Sequence, residues 1–221
     1  MINDFSRITS FVRSMVQEDE GALADLYAQA IADGVPVIRP ETRELLKTQL
    51  KLKKPKQVLE IGAAIGYSSV YMSGFLSKDA HITTLELDEE RVRLARENIR
   101  RFEKENQIQV IQGDAAQTLQ TLEDCIYDFI FVDAAKAQYI YYLPQVLRVA
   151  KPGCLIVTDN VLQEGNILES HFLVEKRDRT IHDRMREYLY TITHHPDLDT
   201  AILSVGDGVA LSVVKEVEKE E

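Results

Sequence analysis

Cysteine is scarce in this 221-residue chain: Cys125 and Cys154 are the only two, with no CxxC spacing and no histidine cluster in the sequence. A disulfide framework and a structural zinc are therefore not expected, and two scattered thiols fit a reducing compartment. Long apolar runs are missing as well, none approaching the roughly 20 residues of a membrane span. Residues 1–10 carry Asp4 and Arg7 and lack the apolar stretch of a signal peptide. Positive charge is in deficit. The 26 Lys+Arg face 36 Asp+Glu, a net −10, which excludes a chain that coats nucleic acid through bulk charge but leaves a local basic patch open. Together these absences describe a soluble cytoplasmic protein with no membrane partner. A 45% hydrophobic and 28% charged composition is globular, and the length suits one α/β domain with a substantial core.

The first 50 residues read as helices. Phe5, Ile8, Phe11, Val12, Met15 and Val16 recur at three- and four-residue steps, as one buried stripe requires. A second run, Leu23, Leu26, Tyr27, Ala30 and Ile31, is closed by Gly34 and Pro36. A third spans 41–52 and ends in the basic stretch around Pro55. From there β-rich runs at 58–61, 81–85, 108–111, 129–132 and 154–158 alternate with helical stretches, 89–104 being the clearest. This is the pattern of βαβ units in a parallel sheet wound on both faces. After Asn160 come a polar loop and a helix through 184–190, and 200–205 and 209–214 read as a hairpin across Gly206-Asp207-Gly208.

Two groups of residues point to chemistry. The first strand ends in EIGAAIGYSS at 60–69, where Gly62 and Gly66 bracket a strand-to-helix turn. A dinucleotide turn needs GxGxxG; position 64 is Ala, and the wider turn suits a ligand without phosphates, which argues against a nucleotide-binding oxidoreductase. Glu60 can accept from a ligand ammonium, and Ser68 can donate to a carboxylate near the helix start. Glu86, ending the second strand, is placed to take both hydroxyls of a ribose. Gly113-Asp114-Ala115 ends the third strand and can flank an adenine. The competing reading is that any α/β sheet carries glycines and acids at its strand ends; the ordered set favours a ligand crevice.

The second group is rich in oxygen. The fourth strand ends at Asp133 in FVDAAK (131–136) and the fifth at Asp159-Asn160 in TDNV (158–161). Two carboxylates and an amide carbonyl on one rim are hard ligands suited to Mg²⁺ or Ca²⁺. A cap at Asp133 and a turn at Asp159-Asn160 are the plainer alternatives. Lys136, one helical turn after Asp133, can act as a general base near a cation, or be an ordinary solvated lysine.

These motifs, over roughly residues 40–214, resemble the cation-dependent O-methyltransferases, the group of catechol and caffeoyl-CoA O-methyltransferases. The resemblance implies a Rossmann-like class I methyltransferase fold: a doubly wound, mostly parallel seven-stranded sheet with a C-terminal antiparallel hairpin and N-terminal helices. The pattern along the chain gives one domain over 1–215, with helices in 1–54, the core in 55–215 and a charged, disordered tail at 216–221. The resemblance implies S-adenosylmethionine contacts at Glu60, Gly62, Ser68, Glu86, Asp114, Ala115 and Asp133, Mg²⁺ ligands Asp133, Asp159 and Asn160, and Lys136 with Asp133 as the catalytic pair. Within the family, the VPVI at 35–38, FVDAAKAQY at 131–139, His195-Pro196-Asp197 and VGDG at 205–208 are similar to the bacterial tRNA 5-hydroxyuridine methyltransferases. Those enzymes make 5-methoxyuridine at the anticodon wobble position, and there the residue matching Ile38 lines the cofactor site. The expectation is methylation of that base in a tRNA anticodon loop, by a homodimer, with Lys51, Lys53, Lys54, Lys176, Arg177 and Arg179 as candidate RNA contacts. The alternative substrate is a small catechol or hydroxycinnamoyl thioester.

Overall fold

The structure, a computed structural model, describes residues 5–216. Three helices open the chain: α1 (Phe5–Ser14), α2 (Gly21–Ala32) and α3 (Pro40–Lys53). The alternating region follows as β1 (Gln57–Ile61), α4 (Tyr67–Ser73), β2 (His81–Glu86), α5 (Glu89–Arg101), β3 (Ile108–Gln112), α6 (Ala115–Thr121), β4 (Tyr127–Val132), α7 (Tyr139–Val149) and β5 (Ala150–Thr158). A last helix, α8 (Arg179–His194), precedes β6 (Leu198–Leu203) and β7 (Val209–Val214).

The strands form one seven-stranded sheet in the order β3-β2-β1-β4-β5-β7-β6. β7 pairs antiparallel with both β5 and β6 and so runs against the other six strands. This is the expected mostly parallel sheet with its C-terminal hairpin, and the strand limits agree with the sequence reading to within a few residues. Side chains alternate across the sheet, as the two-residue period of a strand demands. Leu59, Ile61, Ile130, Val132 and Ile156 pack on one face with α6, α7 and α8. Val58, Phe129, Phe131, Leu155 and Val157 pack on the other with α2, α3, α4 and α5. A parallel sheet covered on both faces explains why these strands read as near-continuous apolar runs.

The chain winds outward from β1 to β2 and β3 on one side, and from β4 to β5 on the other. The switch in winding direction opens a crevice above the C-terminal ends of β1 and β4. Backbone bonds carry the ladder past the strand ends and hold that rim together: Gly62 N to Leu85 O at 2.9 Å, Gly113 N to Glu86 O at 2.9 Å, Asp133 N to Ile61 O at 3.0 Å and Asp159 N to Val132 O at 3.0 Å.

One expectation fails at the N-terminus. The stripe on α1 is not buried: Ile8, Phe11, Val12 and Met15 are all exposed, Phe11 and Met15 by 64% and 65%. One tie of α1 to the body is polar, Arg13 Nη2 to Glu41 Oε1 at 2.8 Å. Periodicity reports an apolar face but not what covers it. The expected tail, apart from Glu216, lies outside the described residues. Among the described residues no helix is long and apolar enough to cross a membrane.

Candidate active site

A cavity of about 840 Å³ occupies the crevice. Ile38, Gly62, Ser68, Glu86, Asp114 and Ala115 all line it, as do Asp133, Lys136 and Asn160. Each strand end contributes through its own turn. At Gly62 the backbone adopts φ +106°, and a Cβ there would collide with the carbonyl oxygen of Asp133. Glycine at this position is what lets β1 and β4 end side by side. Glu86 is clamped by three backbone N–H groups: Ala64 donates to Oε2 at 2.8 Å, Leu87 and Asp88 to Oε1 at 2.9 and 3.0 Å. The carboxylate is thereby held in one orientation at the wall, with acceptor capacity left on Oε2. Asp114 accepts from Ala116 N at 2.9 Å, which starts α6 and turns the chain away from the cavity floor.

Glu60 is placed differently from the other strand-end residues. It is fully buried and does not reach the cavity wall. Its Oε2 accepts from Ser69 and, at 2.6 Å, from Thr84 Oγ1, while Oε1 makes no hydrogen bond. The side chain lies on the α4 face of the sheet beneath Gly62. There it ties β1, β2 and α4 together. Burial pushes its carboxyl above the usual range.

The three oxygen-bearing residues do meet. Asn160 Nδ2 donates to Asp133 Oδ1 at 3.0 Å and Asn160 N donates to Asp159 Oδ1 at 2.8 Å. Asn160 sits at φ +62°, a left-handed conformation that asparagine tolerates better than most residues, and this bend folds its side chain back to Asp133. Burial, above all, raises both acids, and for Asp159 the neighbouring charge of Asp133 adds to it. Two carboxyls held together out of water favour either a shared proton or a cation.

Two further residues enter from elements the sequence reading did not connect. Asp207, almost fully buried, accepts from Lys136 Nζ at 3.1 Å and from Glu164 N. Thr42 Oγ1, from α3, lies 3.4 Å from Asp159 Oδ1. The VGDG motif at 205–208 marked Asp207, but its partner could not be read from local spacing.

Of the candidate RNA contacts, the three lysines of α3 lie apart from this cluster. Lys51, Lys53 and Lys54 end α3 near the N-terminal end of β1, and Lys53 Nζ donates to Gly153 O at 2.8 Å. The five residues of β1 separate them from the crevice rim, about 16 Å of strand. Lys176 is exposed, Arg177 pairs with Glu175 and Asp178, and Arg179 bonds Val174 O at 3.1 Å.

The family model described as O-methyltransferase matches residues 15–215. A catechol O-methyltransferase of Niastella koreensis is 32% identical over 96% of this chain and 98% of its own length. One from Mycobacterium tuberculosis is 31% identical over 94% and 95%. The crystal structure of an O-methyltransferase from Bacillus cereus in complex with SAH superposes with a TM-score of 0.83 at 26% identity, covering 97% of this chain and all of that one. The crevice above β1 and β4, the strand order and these likenesses agree: the chain belongs to the O-methyltransferase family.

Proposed function

We propose that the protein transfers a methyl group from S-adenosylmethionine to a hydroxyl that has a second oxygen beside it, on a small catechol-type or hydroxycinnamoyl thioester substrate. The observation that carries this is the meeting of Asp133, Asp159 and Asn160 beside the cavity, which Asp133 and Asn160 line with Asp159 buried behind them, linked through Asn160 at 3.0 and 2.8 Å. Two raised acids and an amide, whose carbonyl replaces its NH₂ on a half-turn about the side chain, form a donor set that fits a hard divalent cation such as Mg²⁺. A cation there supplies Lewis acidity towards a pair of substrate oxygens. S-adenosylmethionine supplies the methyl group, and Glu86 with the Gly62 and Asp114–Ala115 turns would hold its nucleoside end. Lys136, steadied by Asp207, stands next to the acids and is the group that would take the hydroxyl proton. The remaining work is positioning, which the rigid strand ends supply.

A tRNA carrying 5-hydroxyuridine offers a similar oxygen pair, so the oxygen cluster alone does not choose between the substrates. The surface favours the small molecule. Lys51, Lys53 and Lys54 sit at the far end of β1, Arg177 is paired with acids, and the relatives above are catechol enzymes. The test is mass spectrometry after incubation with S-adenosylmethionine and Mg²⁺, using a catechol and caffeoyl-CoA panel in one arm and 5-hydroxyuridine tRNA in the other. Methylation of the small phenols is expected. Methylation confined to the tRNA would overturn the reading.

A further inference from the structure

The segment after β5 carries a second cluster, away from the oxygen-rich one. His171, from the stretch that follows the 3-10 turn Gln163–Leu168, meets His182 and Asp183 in the first turns of α8. Both His171 Nδ1 and His182 Nδ1 point at Asp183 Oδ1, at 2.9 and 3.1 Å. One ligand atom from each of the three residues lies within 4.8 Å of the others.

The bond on the far side of His182 decides what the cluster is. Its Nε2 lies 3.1 Å from the backbone carbonyl oxygen of Glu169. A carbonyl oxygen only accepts, so Nε2 carries the hydrogen. The Nδ1 of a neutral ring then bears a lone pair, aimed at a carboxylate oxygen that also has only lone pairs to offer. Something positive must lie between them. A proton on Nδ1 would make an imidazolium paired with Asp183 on a ring that is 2% exposed, which serves His182 but leaves His171 Nδ1, aimed at the same oxygen, to find its own. A metal ion satisfies all three atoms at once. An imidazole whose other N–H is fixed by a backbone carbonyl is also the usual outer support of a metal-bound histidine.

We propose that His171, His182 and Asp183 form a binding site for a zinc-class transition-metal ion, distinct from the Asp133–Asp159–Asn160 cluster. Two imidazole nitrogens and one carboxylate oxygen favour zinc, copper, cobalt or nickel over magnesium or calcium. Ligands in a tetrahedral zinc site stand roughly 3.3 Å apart. The two nitrogen–oxygen separations therefore need to open by only a few tenths of an ångström, and water takes the fourth position. The bound ion joins the stretch after Gln163–Leu168 to α8, alongside the Arg186 Nη1 to Ile167 O bond at 3.0 Å and the Gln163 Nε2 to Ile181 O bond at 3.3 Å. The sequence hid the pair because ten residues separate the two histidines and only the return of α8 closes the gap.

The test uses the full chain stripped of metal and titrated with Zn²⁺ and, as a visible probe, Co²⁺. Asp159→Ala removes the other cluster from the count. His171→Ala and Asp183→Asn change groups that are 42% and 52% exposed, so these variants disturb the fold less than a change at the buried His182. In the Asp159→Ala chain, Zn²⁺ is expected to bind at one per chain, with the strong visible absorption of tetrahedral Co²⁺. The affinity should fall at least tenfold on adding either His171→Ala or Asp183→Asn. Zn²⁺ should also slow proteolysis between residues 168 and 178, and that protection should vanish in the His171 variant. Equal Zn²⁺ affinity with and without His171, or only the weak octahedral Co²⁺ spectrum, would overturn the proposal.

Discussion

Lys136 Nζ lies 3.1 Å from Asp207 Oδ2, an ion pair that joins the turn after β4 to the β6–β7 connection across 71 residues. Asp207 is nearly sealed from water while Lys136 is about one-third exposed. The acid is thus the fixed member, and it sets where the amine stands along the cavity wall. Asp207 is a positioning residue in this arrangement. Lys136→Ala is expected to lower kcat by about 10²-fold or more. Lys136→Arg, which keeps the charge but cannot serve as a base, should fall nearly as far. Asp207→Asn should lower kcat by about tenfold with KM unchanged and shift the rising limb of the pH–rate profile. An arginine variant with wild-type turnover would reduce Lys136 to an electrostatic role.

Asp133 and Asp159 make the metal-free protein pH-sensitive in a defined direction. Both acids are raised in the folded state, so the native chain holds protons that the unfolded chain releases near pH 4. Their contribution to stability is full below about pH 4 and is lost as the pH rises through the raised native values. A divalent cation should offset that loss, because it binds the ionised carboxylates. Differential scanning calorimetry with and without Mg²⁺ should show a larger gain in Tm at pH 8 than at pH 6. An equal gain at both, or none, would remove the cation from the cluster. Asp159→Ala should abolish the gain and lower activity by about 10²-fold or more.

Gly62 allows a sharper mutational comparison. Gly62→Ala must move the Asp133 carbonyl and is expected to cost about 2 kcal/mol or more. It should also weaken S-adenosylmethionine binding measured by isothermal titration. Gly165 has a similar backbone, φ +92°, with open space around it. Its alanine variant should lose only the left-handed preference, about 1 kcal/mol, and keep cofactor affinity. Similar losses at the two sites would remove the close approach as the cause.

The exposed stripe of α1 bears on the homodimer that the resemblance implies. Ile8, Phe11, Val12 and Met15 form one apolar face, a surface of the kind that subunits cover. Sedimentation equilibrium of the native chain should give twice the chain mass. Phe11→Glu with Met15→Glu should give the monomer without unfolding it. A monomeric wild type would leave the stripe without this role.

Several features were legible before any tertiary structure. The run of short β-rich segments fixed by helical spacers predicts the doubly wound sheet, because period and length are local properties. The residues at the strand ends, Gly62, Glu86, Asp114, Asp133, Asp159 and Asn160, could be nominated for the same reason, since parallel strands put all their C-terminal ends on one rim. Tertiary structure decided the rest. It sank Glu60 beneath the cavity, because alternation along β1 sends that side chain to the α4 face. It left the α1 stripe open, since periodicity cannot name a partner. It set Lys51, Lys53 and Lys54 at the opposite edge of the sheet and brought Asp207 to Lys136 and His171 to His182. Those pairings depend on where loops return after long excursions, and nothing in the local spacing of residues encodes that.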